Sequence, residues 1–86
     1  MNWTVEFTPA ARREFDRLDG SIQDRISQKI DQLERSGPVT VGVKMLYAAG
    51  RLCRVRVGDW RIIFEIDFEV RVITIAHIAH RSEAYR

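Results

Sequence analysis

The chain has 86 residues, 45% apolar and 30% charged, which fits one small globular domain over residues 1–86 and excludes a disordered tract or a second domain. A single cysteine, Cys53, excludes an intrachain disulfide; with two histidines and that one cysteine there is no zinc-type ligand set, and no apolar run approaches the roughly 20 residues of a membrane span. Net charge is +2, and the excess sits in the second half: residues 1–50 hold seven basic and seven acidic side chains, whereas residues 51–86 hold seven arginines and five acids.

In chain order, "WTVEF" alternates Trp3, Val5 and Phe7 with Thr4 and Glu6, the period-2 pattern of a half-buried strand. Thr8 then offers an N-cap with Pro9 at the first helical position, and Ala11, Phe15 and Leu18 form one apolar stripe. "LDGS" breaks that helix. Ser21 with Asp24 three residues on resembles a capping box, and Ile22, Ile26, Ile30 and Leu33 follow at helical spacing until Gly37-Pro38. The short link between the helices implies an antiparallel hairpin whose stripes need a sheet to cover.

Residues 38–50 read as a loop that packs Met45 and Leu46 inward, because Gly42 interrupts the alternation of Val39, Val41 and Val43. Three β segments follow, "RLCRVRV", "WRIIFEI" and "VRVITIAHI". Gly58-Asp59 is a favoured hairpin turn between the first two, and the third, apolar at nearly every position, reads as a central strand. The predicted fold class is α+β: an N-terminal strand and an antiparallel helical hairpin packed on a mainly antiparallel sheet, in the order β-α-α-β-β-β.

Alternation points Cys53, Val55 and Val57 one way and Arg54 and Arg56 the other, about 7 Å apart along the strand. With Ile62, Phe64 and Ile66 facing the core, Arg61 shares the arginine face. A charged face also protects a sheet from aggregation, so three arginines alone do not define a site. The tail "HIAHRSEAYR" adds His80, Arg81, Tyr85 and Arg86, groups able to move protons, grip phosphate or stack on a base. RNA cleavage without a metal needs a base for the 2′-hydroxyl, a cation for the developing phosphorane charge and an acid for the leaving 5′-oxygen. Tail and sheet face together could supply all three.

"RVRVGDWRIIFEI" followed by a last strand and "HRSEAYR" resembles the RelE branch of the RelE/ParE superfamily of bacterial type II toxin-antitoxin toxins, over essentially the whole chain. The resemblance implies a RelE-like microbial RNase fold and a ribosome-dependent, cofactor-free endoribonuclease of the cytoplasm. Such an enzyme cuts A-site mRNA by 2′-hydroxyl attack on the adjacent phosphate. Its implied partners are a cognate small antitoxin, in a toxin-antitoxin hetero-oligomer, and the ribosome, with no membrane. It further implies catalytic roles for Arg54, Arg56, Arg61, Arg81 and Tyr85. His80 beside Arg81 in the tail is an added candidate acid or base, from its side-chain chemistry and not from the resemblance. Arginine stands at 54 and 56 where the best-known nucleases carry lysine. A guanidinium does not give up its proton at any accessible pH, so these two residues bind and neutralise phosphate, and proton transfer falls to His80, Tyr85 or the ribosome. Two alternatives share the fold: a ParE-like inhibitor of DNA gyrase, and a non-catalytic toxin that only forms a complex with its antitoxin.

Overall fold

A computed structural model describes residues 3–38, 43–45 and 52–82. β1 (Thr4–Phe7) is followed by α1 (Pro9–Asp16), α2 (Gly20–Ser36), β2 (Val43–Met45), β3 (Leu52–Val57), β4 (Trp60–Asp67) and β5 (Val72–His80). The strands make one sheet in the order β1-β5-β4-β3-β2, with β1 parallel to β5 and every other pairing antiparallel. The helical hairpin links β1 to β2 at the far edge of the sheet, and the antiparallel series β2-β3-β4-β5 then brings β5 back beside β1 in the same direction.

One face of the sheet holds the core. Cys53, Val55, Val57, Ile62, Phe64, Ile66, Ile73, Ile75 and Ile78 are buried against Ala11 of α1 and Ile26, Ile30 and Leu33 of α2, with Phe15, Leu18 and Ile22 packed partly buried at the margin. The apolar stripes read from the sequence are the ones that meet the sheet. Burial also pushes the Cys53 thiol above its usual value near 9.0. The folded chain therefore holds the thiol proton longer than the unfolded chain, and this contribution to stability declines as pH rises past that value. Iodoacetamide should modify Cys53 at the unfolding rate; fast labelling of the native protein would contradict its burial.

Local differences from the sequence reading have identifiable causes. Val43–Met45 is a strand, not a loop: it pairs antiparallel with β3, Val43 opposite Val55 and Met45 opposite Cys53, a partner eight or more residues away that local alternation does not reveal. The inward packing expected of Met45 and Leu46 lies outside the described residues. α2 begins at Gly20 behind Asp19, not at a Ser21 capping box, and Asp19 makes no side-chain cap bond. β5 starts at Val72 instead of Val70, because the Asp67 carboxylate accepts from Glu69 N–H and Val70 N–H and Arg71 takes φ 58°, which closes a turn there.

Thr8 joins α1 to the sheet. Its hydroxyl oxygen accepts from Ala11 N–H at 3.1 Å as the N-cap and donates to the Ala76 carbonyl at 3.1 Å, while its own N–H donates to Ile75 O at 3.0 Å. Glu14, two turns on, accepts from Ile78 N–H at 3.0 Å. β1 ends opposite Ile75, so α1 side chains satisfy the edge of β5 that β1 no longer covers. Thr8→Ala should lower unfolding free energy by about 2 kcal/mol, with Thr8→Ser recovering most of it, as read from urea denaturation.

Candidate functional site

The face opposite the core carries the arginines. Arg56 pairs with Arg61 across the β3–β4 hairpin, Arg54 with Ile63, and Arg61 in turn with Ala79 of β5. Residues directly opposite share a face, so Arg54, Arg56 and Arg61 stand on one surface, as expected from alternation. The hairpin closes through Gly58-Asp59 with Gly58 at φ 61° and no positive φ at Asp59, the arrangement of a type II′ turn. A tight turn keeps Arg56 and Arg61 in register.

A cleft of about 580 Å³ opens at this end, lined by Arg56, Gly58, Asp59, Arg61, Arg81 and Ser82. Its cations differ in depth. Arg61 is only 4% exposed, whereas Arg56 and Arg81 lie at the exposed rim. A guanidinium withdrawn from water is in a lower effective dielectric, so an anion that reaches it gains more than one held by an exposed arginine. Arg81 is placed by the turn: its N–H donates to Asp59 O at 2.7 Å, and its Nη1 lies 3.7 Å from Asp59 Oδ1.

His80 is not among these groups. It pairs with Trp60, one residue off the Arg61–Ala79 pair, and so stands on the core-side face, its ring edge-on to Trp60 at 5.3 Å. The sequence reading gathered His80 with the arginines because the two are adjacent in the tail; strand alternation separates them. Among the described residues it is linked to the cleft through Ser82, whose N–H donates to Nδ1 at 3.3 Å and whose hydroxyl lies 3.0 Å from the same nitrogen. Nδ1 thus acts as acceptor and Nε2 carries the proton of the neutral ring. His77 is exposed, with Nδ1 3.4 Å from Glu14 Oε1. Tyr85 lies outside the described residues.

A second hollow, about 320 Å³, lies at the other end of the same surface and includes Glu6, Glu65, Asp67 and Thr74 among its lining. The open face is therefore basic at the turn and acidic where β1 joins the sheet.

The family model described as the ParE toxin of the type II toxin-antitoxin system parDE matches residues 5–85. Toxin RelG of Mycobacterium tuberculosis is 30% identical over 87 residues, spanning 100% of this chain and 99% of that protein. The chain belongs to the RelE/ParE superfamily of type II toxin-antitoxin toxins. Among solved structures, a chain of the archaeal RelE–RelB complex from Pyrococcus horikoshii OT3 superposes on the toxin with TM-score 0.83 at 25% identity, covering 98% of this chain and 100% of that one. A chain of the RelBE2 toxin-antitoxin complex from Mycobacterium tuberculosis gives TM-score 0.79 at 28% identity, covering 94% and 100%.

Two residues of the toxin's cleft were missed in the sequence reading, Asp59 as a holder of Arg81 and Ser82 as the contact to His80. The second had a local signal, since a serine two residues after a histidine can close a short side-chain-to-backbone loop. The first had none: Asp59 reaches Arg81 only because β4 and β5 are adjacent strands.

Proposed function

We propose that this toxin is a ribosome-dependent mRNA endoribonuclease, acting in the cytoplasm and neutralised by a small antitoxin as in the RelE–RelB complexes it resembles. The observation that carries the reading is the convergence of Arg56, Arg61 and Arg81 on one cleft, with Arg61 buried at its floor. Such a cleft suits a phosphate whose charge grows as the reaction proceeds: Arg61 and Arg81 clamp the scissile group, and Arg56 and Arg54 hold the backbone beside it. The 2′-oxygen attacks the adjacent phosphorus, its proton passes to a base, the P–O5′ bond breaks, and the 5′-oxygen takes a proton from an acid. Arginines stabilise this step without exchanging protons. Proton transfer falls to Tyr85, to His80 acting through Ser82, or to a group of the ribosome.

The test is cleavage of a defined mRNA by the purified toxin with and without programmed ribosomes. Fragments with 5′-hydroxyl and 2′,3′-cyclic phosphate ends, formed only when ribosomes are present, are expected. A second reading, inhibition of DNA gyrase, is favoured by the ParE description of the matching family model. Blocked supercoiling with intact mRNA would replace the first reading by the second, and neither effect would leave complex formation with the antitoxin as the toxin's role.

A further inference from the structure

The far side of the β3–β4 turn carries a cation that the cleft does not include. Arg25 of α2 is exposed and lies between Ile22 and Ile26, residues that pack toward the sheet. Its guanidinium presses on Gly58: a Cβ built there would be 2.9 Å from Nη2, 3.1 Å from Nη1 and 3.3 Å from Cζ. The φ of 61° at Gly58 favours glycine, whereas a Cβ there would need only the flexible end of Arg25 to shift. Among the described residues Arg25 takes part in no ion pair.

Gly58 also lines the cleft, so one residue without a side chain separates Arg25 from the Arg56, Arg61 and Arg81 surface. The carboxylate in that lining, Asp59, is already engaged by Arg81. The cationic surface therefore continues over the turn and onto α2, with no side chain at Gly58 to obstruct a strand crossing it. We infer that Arg25 contacts a phosphate of the substrate RNA as the strand leaves the cleft over the Gly58 turn. The contact is to the backbone and is blind to base identity. It rests on the nuclease reading and adds a strand path and a positioning residue to it.

The probe is a single-stranded RNA decamer, 2′-O-methylated throughout so that it cannot be cut, titrated by fluorescence anisotropy against the full chain freed of antitoxin over a range of salt. R25A should weaken binding several-fold and lower the slope of log affinity against log salt by about 0.7, the value for one phosphate contact on a single strand. R25K, which retains the charge, should keep the slope, and a trinucleotide confined to the cleft should bind both variants and the parent alike. A merely structural role would lower the melting temperature of R25A and leave its slope intact.

R56A serves as the reference for the cleft. If R56A lowers decamer affinity and slope while R25A changes neither, the strand path is wrong and the nuclease reading stands. If the parent itself binds no RNA, the strand path over the Gly58 turn fails, while the nuclease reading is decided separately by cleavage on programmed ribosomes. A loss confined to vacant ribosomes, with decamer binding unchanged, would likewise overturn the assignment to the substrate strand, placing Arg25 on ribosomal RNA instead.

Discussion

Arg61→Ala is expected to reduce ribosome-dependent mRNA cleavage by about 10²- to 10³-fold, the usual effect of deleting one preorganised charge-stabilising donor. The buried position sets the size of this effect: Arg61 is 4% exposed and lines the cleft, where a guanidinium withdrawn from water acts in a lower effective dielectric. Arg56→Ala, made at the exposed partner across the hairpin, should cost about tenfold. Arg61→Lys keeps the charge but loses the planar fork and should fall between the two. Circular dichroism of each variant separates lost chemistry from lost fold. Equal losses at Arg56 and Arg61 would show that depth in the cleft does not matter, and full activity of Arg61→Ala would remove it from the site.

The second large effect concerns the fold. Phe64→Ala should lower unfolding free energy by about 3–5 kcal/mol, because Phe64 is fully buried and pairs with Cys53 on β3 and Ile75 on β5. Domains of this size have roughly 5–15 kcal/mol in total, so the variant would be marginal. Its melting temperature should fall by more than about 12 °C. A drop of under about 1 kcal/mol in urea denaturation would mean that the sheet can collapse onto the vacated volume. Such a result would contradict a core closed on both sides by Ile26, Ile30 and Leu33 of α2 and the adjacent strands.

Most of the architecture was legible because helix and strand periods differ, and both are plain in β1, the two helices and β3. Ile22, Ile26, Ile30 and Leu33 could only be a helix face, and the Gly58-Asp59 turn fixed the pairing that places Arg56 opposite Arg61. What escaped depended on partners distant in sequence. β2 is a strand through its pairing with β3, despite Gly42 beside it. The near-continuous apolar run of β5 concealed a register shift between Ile63 and Phe64, where the opposing residue steps from His77 to Ile75 and leaves Ala76 unmatched. The arginine set was read from alternation, but its division into a buried Arg61 and rim residues was not, since alternation assigns a face and says nothing of depth. His80 shows the converse: nearness in the tail suggested a shared site, and register placed it on the other side of the sheet.

The division of charge along the open face gives the molecule a direction. Glu6, Glu65 and Asp67 occupy one end and Arg56, Arg61 and Arg81 the other, so a polyanion approaching broadside meets a torque as well as an attraction. On the nuclease reading, encounters that bring RNA to the β1 end are repelled and those at the hairpin turn are drawn in. Orientation is thus partly decided before contact. Since exposed charges act over about 10 Å at 0.1 M salt, this selection should fade as ionic strength rises, ahead of any loss in the chemistry at buried Arg61.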